Sequence, residues 1–373
     1  MHGAQPRVIG YVAPFSMTHA SAAGAASANG PGSAVPLAHA PEPTLADKVA
    51  HYSATLMPAH LVHTFAHLNG ALREISIHVH KPTAAQPHPP ASEARMWRYQ
   101  HFAHSEAFKR ELTRHRVMRI DLGAYYSAPP SLERHRVGAY ACSRELVFDV
   151  DADAYDGVRT CCRANTVCSA CWPLLACAAE CLDHVLRRQF DFKHVLHVFS
   201  GRRGVHVWVC DRRSTTLSEG ARLEIVRLFG ALRAAAATAR RAFSRGERAL
   251  VSVMRRHYET FVERQALAAR TKPPSERASD AAVVLAMVPR LDTAITAQLA
   301  HLLRAPFSAH PSCGSLALPM PLEALCALDP ATARVTAQAL YTDANDELAR
   351  RAFSASLRYM QNFIDDVRES VPQ

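Results

Sequence analysis

The sequence lacks a long hydrophobic run. No stretch approaches the ~20 continuous apolar residues that a membrane span needs, so the chain is expected to be soluble, with no membrane partner. It also lacks an export signal built from a basic start, an apolar middle and a small-residue cleavage site. Ten cysteines in a chain without such a signal are expected as reduced thiols, and as metal ligands where they cluster. Asp and Glu are absent from the first 41 residues, which are rich in Ala, Ser, Gly and Pro and hold a single arginine, Arg7. A transit peptide has similar composition; the stronger reading is a disordered extension over 1–42. No internal repeat is present.

What remains is 373 residues, 49% apolar and 20% charged, enough for one large or two smaller domains. The formal charge of +10 favours polyanionic partners, such as nucleic acid or nucleotides, through phosphate contact and counterion release. Helical spacing runs from Thr44 to Asn69, with Leu56, Leu61, Phe65 and Leu68 near one face. Arg73–Val79 alternates as a strand does; 80–94 reads as a Pro/His-rich loop; Trp97–Phe102, Val117–Leu122 and Arg144–Val150 read as strands. Pro173 is placed to open a helix running to about Phe190. His194–Phe199 and Val205–Val209 read as two strands around a turn. Residues 217–270 read as helical, 271–281 as a polar break, and Thr293–Leu303 and Asn345–Val367 as helices. Interleaved strands and helices predict a mixed α/β fold.

Three clusters carry chemistry. Glu145–Asp151 (ELVFDVD) is an apolar run ending in Asp149-x-Asp151. Residues two apart on a strand return to the same face about 6.6 Å along, so both carboxylates can serve one site. Mg²⁺ prefers carboxylates with phosphate oxygens. Two such ions ~3.5–4 Å apart are what a polymerase needs to activate a hydroxyl and stabilise leaving pyrophosphate. An ordinary strand end running into an acidic loop would carry the same residues. Asp292, just before a helix, is a third carboxylate or simply a helix cap.

Ser200-Gly201-Arg202-Arg203-Gly204-Val205-His206 links two strands. Its glycines allow close backbone approach, and its adjacent arginines offer forked donors for phosphate oxygens. A solvent-exposed basic hairpin is the alternative, although His206 shares a strand face with Trp208. Cys161, Cys162, Cys168 and Cys171 supply four thiols within eleven residues, a set expected to close a tetrahedral structural zinc site, with disulfide pairing as the alternative that reduced thiols disfavour. Cys177 and Cys181, and the four remaining cysteines (Cys142, Cys210, Cys313 and Cys326), read as packing.

Together these pieces resemble the small, catalytic subunit of archaeal and eukaryotic DNA primases. ELVFDVD resembles that family's metal-binding strand, SGRRGVH its nucleotide motif, the four cysteines its eukaryotic zinc motif, and Pro289–Asp292 with Pro306–Pro311 its C-terminal catalytic segment. Arg73-Glu74, Arg98–Gln100 and Arg119–Ala124 resemble N-terminal segments. The likeness runs from about 45 to 325 in the family's order. It implies that Asp149, Asp151 and Asp292 bind catalytic Mg²⁺ or Mn²⁺, that Glu74 is a further active-site acid, and that the four cysteines bind Zn²⁺. It implies nucleotide contacts from Arg98, Asp121, Ser200, Gly201, Arg202, Arg203, Gly204, Val205, His206, His301, Leu302, Leu303, Arg304 and His310. Arg304 stands where the family usually has Lys, and Met96 two residues before Arg98 where an aromatic is common.

The implied fold is a primase core over 43–212 and 286–373, with its zinc motif at 161–171 and a small helical subdomain at 213–285. The implied activity is RNA primer synthesis on single-stranded DNA from ribonucleoside triphosphates. The implied partners are a large iron–sulfur primase subunit and the replicative DNA polymerase α complex, in the nucleus. A primase-polymerase using deoxynucleotides, a non-catalytic zinc scaffold for nucleic acid and a carboxylate-dependent hydrolase are the alternatives.

Overall fold

Period-two alternation decides how two antiparallel sheets are buried. The structure is a computed structural model that describes residues 42–80, 94–131, 138–238, 242–342 and 346–370. The extension expected over 1–42 and the loop expected at 80–94 therefore lie almost wholly outside the described residues. Strands β1 (Arg73–His80), β2 (Arg95–Gln100), β3 (Arg116–Tyr126) and β4 (Ala141–Ser143) form one sheet in the order β2-β1-β3-β4. The second sheet has the order β5-β7-β6-β9, from β5 (Leu146–Asp151), β6 (Val195–Phe199), β7 (Gly204–Val209) and β9 (Leu318–Met320). A two-residue strand β8 (Leu303–Arg304) adds to β3 of the first sheet. The mixed α/β class expected from the sequence is what the structure shows.

On the second sheet, Leu146, Phe148, Val150, Val205, Val207 and Val209 point into one apolar cluster. That cluster is shared with helix α4 (Trp172–Arg188) and with the helices of residues 219–287. The other parity carries Val147 and Trp208 into a second cluster with the first sheet and the N-terminal helices, where Trp208 meets Phe65 edge-on at 5.6 Å. Asp149, Asp151 and His206 have this same parity. The faces that bury the sheet thus also set the direction of its polar residues.

The N-terminal helical region is α1 (Leu45–His51), a π-helical turn at Tyr52–Leu56, and α2 (Ala59–Ala66), with α3 (Ser105–Arg114) beside them. Thr44 and Asp47 close a capping box at the start of α1. The expected 217–270 helix is two helices, α6 (Glu219–Thr238) and α7 (Arg245–Ala269), after a single turn α5 (Arg212–Thr215). Ser244 and Glu247 form the capping box that starts α7. Helix α8 (Asp280–Met287) begins at the end of the expected polar break, capped by Ser279.

The expected Thr293–Leu303 helix is shorter: α9 ends at Ala297. The buried Arg144 side chain donates to the carbonyls of Ile295 (3.0 Å) and Gln298 (3.2 Å), groups that a longer helix would pair internally. The chain then leaves to pair Leu303 and Arg304 with β3. Helices α10 (Leu322–Ala327), α11 (Ala337–Thr342) and α12 (Glu347–Glu369) complete the fold. No helix among the described residues is long and apolar enough to cross a membrane.

Buried charge joins the sheets. Arg73 on β1 donates to Glu145, which precedes β5, at 2.5 Å, with both side chains at most 2% exposed. Tyr125 and Asn69 donate to the other carboxylate oxygen, and Arg222 of α6 donates to the Glu145 carbonyl. Glu145→Ala would leave Arg73 buried and uncompensated. It is expected to cost about 3–5 kcal/mol in urea unfolding, and a cost below about 1 kcal/mol would contradict this assignment.

Candidate functional site

The β5–β7 ladder sets Asp149 opposite His206 and Asp151 opposite Gly204. Gly204 has no room for a side chain: a Cβ there would sit 2.3 Å from Asp151 Oδ1 and 2.6 Å from the Val150 carbonyl. Gly201, at φ +75°, lies under the Leu316 carbonyl, 2.2 Å from where a Cβ would be. Ser200 Oγ accepts from the Gly204 amide at 2.9 Å and closes the turn. The turn is therefore a structured element pressed against the acidic strand.

Above it lies a cavity of about 210 Å³ lined by Asp149, Asp151, Ser200, Arg202, Arg203 and His206 from the second sheet. Arg119 of β3, Ile295, Leu302, Leu303, Arg304 and His310 complete it. Two roomier grooves elsewhere have largely apolar walls, whereas this cavity is lined mainly by charged and polar groups.

Two carboxylates, Asp149 and Asp151, line the cavity, and Asp292 adjoins it without lining it. The Asp292 amide donates to the Asp149 carbonyl (3.1 Å), and its Oδ1 caps α9 by accepting from Ala294 and Ile295. Asp292 thus serves as a cap and also adds charge beside Asp149. Burial above all, and then the Asp151 charge, push the Asp149 carboxyl up to about 7; Asp292 adds to this and Arg304 opposes it. Asp149 Oδ1 is buried without a hydrogen-bond partner, and His206 Nε2 stands 3.8 Å away. A buried, partnerless carboxylate oxygen among like charges is a position where a cation relieves both costs.

The opposing wall is cationic. Arg203 donates to Asp151 Oδ2 through Nε (3.0 Å) and Nη2 (2.9 Å) and pairs with Asp153 at 3.0 Å. Arg202 donates to His310 Nε2 at 3.1 Å. Burial, then Arg304 and Arg202, hold the His310 ring down to about 3, so it is neutral and accepts that bond. Burial, with Arg304 and Arg119, holds His206 well below its ordinary value. Arg304 is buried and donates to the Ser200 carbonyl, with β8 placing it across from Asp121. Four arginines and two neutral imidazoles around a small polar cavity are suited to polyanionic oxygens.

Other expected residues sit around this cavity without lining it. Asp121 is buried between His78 (2.8 Å) and Arg119 (2.7 Å). Glu74 is fully buried and accepts from Arg98 twice (2.9 and 3.0 Å), from the Tyr99 amide and from Tyr126. Its carboxylate is committed to holding Arg98, which also reaches the Ala300 carbonyl at 3.1 Å. Val205 packs in the core, and His301 contacts the Leu302 carbonyl. Arg119 was missed as a site residue; its i, i+2 relation to Asp121 on one strand face was the available signal.

The four cysteines converge. All their sulfurs lie within 4.8 Å of one another, with Cys162 3.8 Å from Cys161, 3.8 Å from Cys168 and 3.5 Å from Cys171. Ligands ~2.3 Å from a tetrahedral zinc stand ~3.8 Å apart, so the set fits that ion without rearrangement. All four are free thiols. Gln265 of α7 donates to Cys161 Sγ (3.1 Å), and buried Arg159 donates to Cys162 (3.4 Å) and Cys171 (3.7 Å), contacts that favour thiolate. Asn165, between the cysteines, accepts from Arg203. The cysteine loop thereby touches the arginine that holds Asp151.

Acidic strand and arginine turn share one cavity, and the thiol cluster, which could hold a metal ion, lies beside them. Residues 148–322 match the model of the DNA primase small subunit family. The DNA primase small subunit of Schizosaccharomyces pombe is 27% identical over 294 residues, 62% of this chain and 65% of that protein. The Drosophila melanogaster small subunit is 28% identical over 312 residues, 65% and 70% of the two chains. That of Caenorhabditis elegans is 41% identical over 121 residues, 32% of this chain and 30% of its own. The match thus spans just under two thirds of the fission yeast relative's length. Over residues 148–322 the chain is thus similar to the DNA primase small subunit family.

Asp149→Asn is expected to remove repulsion and stabilise the protein by about 1 kcal/mol in divalent-free buffer, roughly 2–3 °C in Tm. Mn²⁺ should raise the Tm of the wild type and leave that of Asp149→Asn unmoved. Equal Mn²⁺ responses would place the cation elsewhere.

Proposed function

We propose that this chain is a primase catalytic subunit that makes RNA primers on single-stranded DNA from ribonucleoside triphosphates. The observation that carries this reading is the juxtaposition of Asp149 and Asp151 with the Arg202–Arg203 turn in one cavity, with Asp292 hydrogen-bonded beside Asp149. The three aspartates are the proposed ligands of Mg²⁺ or Mn²⁺. Bound there, the cations would favour ionisation of the attacking 3′-hydroxyl and neutralise charge on departing pyrophosphate.

The protein's own groups supply positioning. Arg202 and Arg203 receive the triphosphate oxygens with bidentate donors, aided by Ser200, His206 and His310. Arg203, which holds Asp151, would be free to turn to phosphate were a cation bound to that carboxylate. Arg304, fixed by β8 and the Ser200 carbonyl, adds positive potential on the floor. Arg98, anchored by Glu74 beside the 298–301 segment, is placed for a phosphate of the nucleotide that begins the chain. Glu74 acts through Arg98, and Asp121 reaches ribose only when His78 and Arg119 release it.

The cysteine cluster is our proposed Zn²⁺ site, with a structural role. The division into a core and a helical region at 213–285 is part of the same reading. So are a large iron–sulfur subunit, a replicative polymerase complex and a nuclear location, which are what the likeness to small subunits suggests. The high positive charge of the chain suits the DNA template.

Purified protein, alone and with a large subunit, should make short RNA on single-stranded DNA. Asp149→Ala/Asp151→Ala should lower this by about 10³-fold or more. Products formed only from deoxynucleotides would favour a primase-polymerase. Release of phosphate without polymer would favour a hydrolase.

A further inference from the structure

Glu180 on α4, His257 on α7 and Cys326 on α10 come from three separate helices and meet at one point away from the carboxylate cavity. A carboxylate oxygen, an imidazole nitrogen and a thiol sulfur there lie within 4.8 Å of one another. His257 Nε2 is 2.6 Å from Glu180 Oε2, and the two side chains are 13% and 27% exposed. Arg256 occupies the other oxygen, Glu180 Oε1, which leaves Oε2 as the inward-facing donor. The helices that carry these groups bury apolar side chains in one cluster, so their backbones are set by packing and not by the polar contact itself. Asp183, one turn along α4, and Glu323, on α10, add negative charge near Cys326.

We propose that this is a second transition-metal site, of the zinc class, which staples α7 and α10 to α4. The mixed oxygen, nitrogen and sulfur set suits Zn²⁺ or Co²⁺ and does not suit Mg²⁺ or Ca²⁺, which take oxygen. Three protein ligands leave a fourth position for water, or for Asp183 if its side chain turns. Seating the ion requires the His257–Glu180 contact to open from 2.6 Å to ~3.3 Å, the separation of two light-atom ligands ~2.0 Å from a tetrahedral ion. That change is within reach of side-chain torsions. Cys326, read from the sequence as a packing residue, becomes a ligand. The site is independent of the Cys161–Cys171 cluster, since it shares no residue with it.

The test is metal content of the full chain after dialysis against trace zinc, with folding checked by circular dichroism. Wild type should hold about two zinc ions, and Cys326→Ser, His257→Ala and Glu180→Gln about one each. Cys168→Ser should lose the other ion. Co²⁺ loaded into Cys168→Ser should show thiolate-to-metal absorption that disappears when Cys326→Ser is added. Three variants guard against one failing to fold, and the cobalt spectrum reports ligation directly. About one zinc in the wild type, or about two in wild type and all three variants alike, would overturn the proposal.

Discussion

The register of β5 against β7 is the constraint on which the rest of the site depends. It sets Asp149 across from His206 and Asp151 across from Gly204. Shifting an antiparallel pair by one residue would turn Asp149 and Asp151 into the helix-facing core and bring Phe148 and Val150 out. The valines and Phe148 that pack on α4 therefore hold the carboxylates in place as firmly as any polar contact does. Gly204 enforces the same register from the other side, because only hydrogen fits beside Asp151 and the Val150 carbonyl.

That register brings unlike charges together before any ligand arrives. Arg203 neutralises Asp151, whereas Asp149 keeps a buried oxygen with no partner. The two carboxylates thus differ: one is held by a displaceable guanidinium, and the other is strained by burial and by its neighbours. Arg203 also touches Asn165 in the cysteine loop. An ion held by the four thiols would order that loop and, through Asn165, the arginine. The route from thiol cluster to carboxylate is short and consists of named contacts, and this gives the cysteine cluster a physical bearing on the cavity.

Much of this was legible in the sequence, for identifiable reasons. Alternating valines announced β7, and Asp149-x-Asp151 announced a shared strand face, because both follow from a period of two. The Cys161–Cys171 spacing announced convergence, because chain length alone keeps those sulfurs close. Long-range effects were not legible. Arg144 ends α9 through carbonyls some 150 positions away, so the helix expected to reach Leu303 stops at Ala297. Glu74 was expected as a further active-site acid, and its partners Arg98 and Tyr126 are brought to it only by the sheet. Arg119 was overshadowed by Asp121, and Cys326 had no neighbour in sequence to mark it. In each case the decisive partner arrives by tertiary packing, which no local pattern records.

The central claim is that Asp149 and Asp151 hold a divalent cation beside a triphosphate gripped by the Arg202–Arg203 turn. The most direct measurement is anomalous diffraction from crystals of the chain grown with Mn²⁺ and a ribonucleoside triphosphate. The account predicts a manganese peak ~2.2 Å from an oxygen of each aspartate, with Arg203 moved from Asp151 to phosphate. Manganese bound elsewhere, with the Arg203–Asp151 pair intact beside a bound triphosphate, would contradict it.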